Sequence, residues 1–163
     1  MIFSSELRAR AFTLVGELRA KSLKLATAES CTGGLLAGLF TEIAGSSDVF
    51  ERGFVTYSND AKHELLGVST ALLETHGAVS QEVALAMAQG TLAHSRADLV
   101  IAVTGIAGPG GATETKPIGL VHVAIARKDG AVTHRVFEFG DIGRTEVRLA
   151  TLDAAMTLLS EFV

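Results

Sequence analysis

Residues 99–103 read Leu-Val-Ile-Ala-Val and run directly into Thr-Gly-Ile-Ala-Gly-Pro-Gly-Gly at 104–111. A strand with one face in water alternates apolar and polar residues, so an unbroken apolar run predicts a strand buried on both faces. A sheet covered by helices on both sides gives a strand that environment. The glycines that follow end the strand and leave the backbone bare just where it exits the sheet.

The rest of the chain supplies the covering. Residues 4–20 place Leu7, Phe12, Leu14, Val15 and Leu18 among Glu and Arg at a spacing near 3.6, which predicts an amphipathic helix over the sheet. Residues 24–30 form a β-prone run, Gly33-Gly34 a tight turn, and 35–45 a helix closing at Gly45. A second β-prone run occupies 49–58. It is followed by a short helix over 59–66 stopped by Gly67, a helical piece at 70–76, and a longer helix capped by Ser80 with Ala and Met inward. Runs at 118–127 and 131–139 alternate around Lys128-Asp129-Gly130 and predict an antiparallel hairpin. A final helix over 144–162 carries Val147, Leu149, Leu152, Ala155, Met156 and Leu159 on one side. Interleaved helices and strands with a late hairpin predict an α/β fold: a three-layer α/β/α sandwich on a mixed, mainly parallel sheet, with residues 1–163 in one domain. The strand order is open.

Composition narrows the function classes. The net charge is −4 and the 14 Lys and Arg are scattered, so nucleic acid is not an expected partner. No apolar run reaches the roughly 20 residues of a membrane span, and the first ten residues lack a signal-peptide pattern, so a cytoplasmic location without membrane attachment is expected. Cys31 is the only cysteine, which suits a reducing compartment. A small anion stays open as a ligand, because one or two cations can hold a phosphate whatever the total charge.

Three segments, each after a predicted strand, hold hydroxyls and charges that core packing does not require: AESCTGG at 28–34, TYSNDAK at 56–62 and TGIAGPGG at 104–111. Ser30, between a strand and a glycine-opened helix, is placed either to cap that helix or to act as a nucleophile beside free backbone N–H groups able to receive an oxyanion. Its hydroxyl needs a base, and Lys62 is the candidate if burial lowers its pKa; the alternative for a lone lysine is a solvated surface charge. Cys31 is a rival nucleophile or a small buried apolar residue, Ser58, four residues before Lys62, is a local hydrogen-bond partner or another rival, and Tyr57, the one tyrosine, can relay a proton or simply pack. The glycine loop matches neither a Walker A motif nor GxGxxG, since Thr113 stands at the third glycine position. The expected substrate contacts are Glu29, Cys31, Thr32 and Gly33 from the first segment and Ser58 and Asn59 from the second. From the third come Thr104, Gly105, Ile106, Ala107 and Gly108, with Lys116 bringing a charge. Arg144 and Arg148, four apart at the head of the last helix, are either a phosphate clamp or surface charges.

Together TAESCTGG, the Ser46-Ser47 pair in AGSSDVF, GFVTYSNDAK, GVS, HGAVS, VTGIAGPGG and KPIG resemble the C-terminal domain of the CinA competence/damage-inducible family, from about Ala26 to the final helix. The resemblance implies a nicotinamide-nucleotide amidase that converts nicotinamide mononucleotide to nicotinate mononucleotide and ammonia, with no metal and no cofactor. It implies Ser30 as nucleophile and Lys62 as general base, with Ser47, also an alternative nucleophile, and Tyr57 lining the same pocket. The Thr104-Gly105 turn would contact substrate and Arg144 its phosphate. A non-catalytic pyridine-nucleotide-binding or regulatory domain is the alternative. A homodimer is expected, and activities of the larger N-terminal domain of fused members are not.

Overall fold

The computed structural model describes residues 2–163. In chain order it holds α1 (Ser5–Ala20), β1 (Leu25–Glu29), α2 (Leu35–Thr41), a single 3-10 turn (Ser46–Asp48), β2 (Phe50–Val55), α3 (Asn59–Leu66), α4 (Thr70–His76), α5 (Gln81–Ala93), β3 (Leu99–Gly105), β4 (Leu120–Arg127), β5 (Val132–Glu138) and α6 (Arg144–Phe162). The strands form one mixed sheet in the order β2-β1-β3-β4-β5. β1 lies parallel to both β2 and β3, while β4 is antiparallel to β3 and to β5, so four of the five strands point the same way.

Side-chain alternation divides the interior into two cores. Leu25, Leu99, Ile101, Val103, Val121, Val123 and Ile125 face the layer of α1, α2 and α6. Ala26, Ala28, Val100, Ala102, Ala124 and Ala126 face the other side, toward Leu66 of α3, Leu73 of α4 and Val83, Ala84, Met87 and Ala88 of α5. Alanine on that second face lets α5 lie close across β1, β3 and β4. Gly90 serves the packing of helices within that layer: a Cβ there would sit 2.0 Å from the Leu66 carbonyl oxygen, so α3 and α5 touch backbone to backbone. Each fully buried Leu, Ile or Val on these faces is worth about 1.5–3 kcal/mol relative to exposure.

Helix ends follow their capping chemistry. Ser4, Ser58, Ser69 and Ser80 each accept a hydrogen bond from the N–H three residues on, at the heads of α1, α3, α4 and α5. Gly67 ends α3 at φ +69°. Two sequence expectations change. Phe12 points outward, 68% exposed, and Ala11 takes the inner position; α1 packs beside α2 and α6 in their layer. The helix expected to run to Gly45 ends at Thr41, and residues 46–48 form the 3-10 turn.

Candidate active site

Register brings the three polar segments together. Leu25 pairs with Leu99 and Glu29 with both Val103 and Val55, so β1 and β2 end level and β3 runs two residues further, to Gly105. The chain leaves the sheet after these ends, at Ser30, Thr56 and Ile106, along one edge, at the carboxyl ends of parallel strands where α/β folds place ligands. The Ser30 N–H donates to the Val103 carbonyl at 3.0 Å and the Thr56 N–H to the Glu29 carbonyl at 2.8 Å, which fixes the first residue of the exits from β1 and β2.

Lys62 comes from the first turns of α3 and turns its side chain inward, 1% exposed. Its Nζ lies 3.0 Å from Ser30 Oγ and 2.8 Å from the Thr56 carbonyl oxygen. Among the described residues no carboxylate forms an ion pair with it. Burial without a counter-charge pushes its pKa down from 10.5 to about 8. An ammonium there donates to both oxygens; a free amine offers its lone pair to the Ser30 proton.

Above this pair is a cavity of about 250 Å³, lined by Ser30, Cys31, Tyr57, Asn59, Lys62 and Arg144 on its polar side and by Thr104–Gly108, Gly110, Gly111, Ala78 and Val79 elsewhere. It contains two cations and no carboxylate. At its mouth the Arg144 guanidinium donates to the Tyr57 hydroxyl at 2.7 Å and to the Gly108 carbonyl at 2.8 Å, tying α6 to two of the loops. Gly105 has no room for a side chain: a Cβ would lie 2.6 Å from Val121 Cγ2 and 2.9 Å from the Leu120 carbonyl oxygen.

Several expected contacts lie elsewhere. Glu29 is fully buried, and its carboxylate accepts the N–H groups of Gly34 (3.1 Å), Leu36 (3.0 Å) and Ala37 (2.8 Å). It is the cap of α2, so the helix amides expected to be free beside Ser30 are occupied. Those of Cys31 and Thr32, in the turn before the helix, donate to no acceptor among the described residues. Thr32 and Gly33 do not line the cavity. Ser58 is the α3 cap, its Oγ accepting from Ala61 N at 3.0 Å, and is not presented to the Lys62 amine. Ser47 sits in the 3-10 turn before β2, at the opposite end of the parallel strands from Ser30, and neither lines this cavity nor stands near Lys62. Lys116 turns its amine to the His76 carbonyl at the end of α4. Thr104 spends its hydroxyl on the Ala78 carbonyl at 2.8 Å. Arg148 donates to the carbonyls of Cys31 (3.1 Å) and Thr32 (3.0 Å), so it braces the turn that follows Ser30 and does not pair with Arg144 as a clamp. Cys31 reaches the cavity wall, but burial pushes its thiol pKa up to about 12, the opposite of what a nucleophilic thiol needs. Ala78 and Val79 are the lining residues that residue types alone do not nominate; HGAVS contains them without a chemical group to single them out.

No group of three His, Cys, Asp or Glu among the described residues is placed to hold a metal ion. No described helix is long and apolar enough to cross a membrane.

The fold and site define a class: an α/β/α domain with a buried serine–lysine contact at the carboxyl edge of parallel strands, under a cationic cavity. The chain belongs to the CinA C-terminal domain family, whose model matches residues 8–163. It is 52% identical over 148 residues to the nicotinamide-nucleotide amidohydrolase PncC of Enterobacter agglomerans, covering 90% of this chain and 89% of that protein. The competence/damage inducible protein CihA of Agrobacterium tumefaciens has the same fold, with a TM-score of 0.96 and 53% identity over 98% of this chain and 96% of that one. Competence-damage inducible proteins of Caldicellulosiruptor bescii and Caldicellulosiruptor saccharolyticus are each 50% identical, and this chain spans about a third of their length, 35% and 36%.

Proposed function

We propose that this chain is a nicotinamide-nucleotide amidohydrolase that hydrolyses the carboxamide of nicotinamide mononucleotide. The observation that carries this reading is the 3.0 Å contact between Ser30 Oγ and a buried Lys62 amine that has no carboxylate partner. With a pKa of about 8, about a tenth of the Lys62 side chains are free amine at pH 7, enough to serve as a base without prior loss of a strongly held proton. The relatives named as amidohydrolases at about half identity supply the substrate class.

In the first half-reaction Ser30 Oγ attacks the carboxamide carbon and Lys62 takes the hydroxyl proton. The carbonyl π electrons move to oxygen, then return as the C–N bond breaks, and Lys62 gives its proton to the departing nitrogen, which leaves as ammonia. In the second, Lys62 takes a proton from water, the hydroxide attacks the acyl carbon, and Ser30 leaves with the proton returned by Lys62. The products are nicotinate mononucleotide and ammonia. Arg144 meets the substrate phosphate at the mouth, exchanging a neutral phenol and a carbonyl for an anion, with Tyr57 and Asn59 beside it.

Incubating the purified chain with nicotinamide mononucleotide tests the reading. The expected result is equimolar ammonia and nicotinate mononucleotide. Saturable binding without ammonia would instead make the chain a pyridine-nucleotide-binding module and overturn the proposal.

A further inference from the structure

Arg148 is part-buried on the second turn of α6 and directs its Nε and Nη2 at two backbone carbonyls of the nucleophile turn, Cys31 and Thr32. No carboxylate pairs with it among the described residues, so its charge acts on these peptide groups. Gly33, at φ +58°, allows the approach: a Cβ there would lie 3.3 Å from Arg148 Nη2.

A peptide unit is planar and trans, so its C=O and N–H point in opposite directions. The carbonyl of Cys31 shares its unit with the N–H of Thr32, and a cation hydrogen-bonded to that oxygen both turns the N–H away from the guanidinium and makes it a stronger donor. That N–H has no acceptor among the described residues. The neighbouring unit, between Ser30 and Cys31, is arranged in the same way: its carbonyl accepts from Gly33 N at 3.0 Å and its Cys31 N–H is unspent. The α2 amides are held by Glu29 and Thr32 does not line the cavity, so the donor left at the cavity wall next to Ser30 is the Cys31 N–H, which Arg148 reaches through the Thr32 carbonyl, the Gly33 N–H and the Ser30 carbonyl.

We infer that Arg148 is a positioning residue of the amidase reaction: by holding the Cys31 and Thr32 carbonyls it fixes and polarises the turn whose Cys31 N–H, at the cavity wall, receives the oxyanion formed when Ser30 adds to the carboxamide. This rests on the proposed amidase reading. Arg148 touches neither substrate nor reacting atoms, and its contribution appears only when charge develops on oxygen.

The test compares the wild type with Arg148→Met and Arg148→Lys for turnover of nicotinamide mononucleotide. It also measures inhibition by the aldehyde analogue of that substrate, to which Ser30 adds as a hemiacetal while Lys62 receives the hydroxyl proton. Arg148→Met is expected to lower kcat on the order of 10²-fold with little change in KM. Its affinity for the aldehyde analogue should weaken in step with kcat, while affinity for nicotinate mononucleotide holds and the pH profile keeps its inflection near that of the wild type. Arg148→Lys, which keeps a charge but not the two-pronged geometry, should fall between and shows the effect in a folded variant if Arg148→Met does not fold. Unchanged kcat in either folded variant, a rise in KM at constant kcat, or loss of kcat without weaker aldehyde binding overturns the inference. A wild type that releases no ammonia overturns the amidase reading itself, a different outcome.

Discussion

Lys62 is almost fully buried, yet its amine meets only neutral oxygens, Ser30 Oγ and the Thr56 carbonyl. Burial is therefore the leading cause of its lowered pKa, and two outcomes follow. The rate should rise about tenfold per pH unit below pH 8 and level off above it, read from kcat/KM for nicotinamide mononucleotide between pH 6 and 10. The folded side chain gives up its proton at about 8 and the unfolded one near 10.5, so between these values the unfolded chain holds the extra proton and stability rises with pH. Below that window the cost of burying the charge is present in full. Lys62→Met should accordingly abolish turnover, by roughly 10²–10⁴-fold or more, yet melt at a higher temperature than the wild type at pH 7. The gap should narrow as the pH approaches 10.5. A variant that melts lower at pH 7 would mean that the ammonium is stabilised by its surroundings.

At the scale of elements, the site depends on how closely α3 approaches the sheet, because Lys62 rides on that helix. The Gly90 contact with the Leu66 carbonyl sets the approach from the α5 side. Gly90→Ala must push the end of α3 outward, at a cost of about 1–3 kcal/mol by urea denaturation, and the activity loss should exceed what that destabilisation explains. Normal activity with unchanged stability would show that α3 has slack. The elements themselves are legible in the sequence: apolar periods of 3.6 and 2, serine caps and glycine stops locate most helices and strands, and α2 ends at Thr41, short of its apolar run, with Gly45, at φ +79°, opening a separate 3-10 turn. Phe12 misleads because an aromatic side chain in an apolar pattern reads as inward when the neighbouring alanine fills the tight α1 contact instead.

Across the whole molecule, the strand order and its register turn three distant segments into one site; Ser30 and Lys62, 32 residues apart, meet because β1 and β2 run parallel and end together. Sequence nominates both residues but cannot place them in contact, since nothing local specifies which strands are neighbours. The misplaced residues share a cause. Glu29 and Arg148 look like ligand-binding charges until their partners are seen to be backbone amides and carbonyls, groups present at every position and invisible in residue type. Ser47 stands close to the site segments along the chain but at the far end of the strands in space. On the proposed reading, the hydroxyl that attacks is the one held by a buried amine below the cavity, with Arg144 at the mouth. Ammonia release from nicotinamide mononucleotide by Ser30→Ala, set beside the wild type at pH 8 with folding verified by thermal melting, addresses that hydroxyl directly. Loss of at least about 10³-fold in kcat with substrate binding retained is expected; turnover within tenfold of the wild type would show that Ser30 is not the nucleophile.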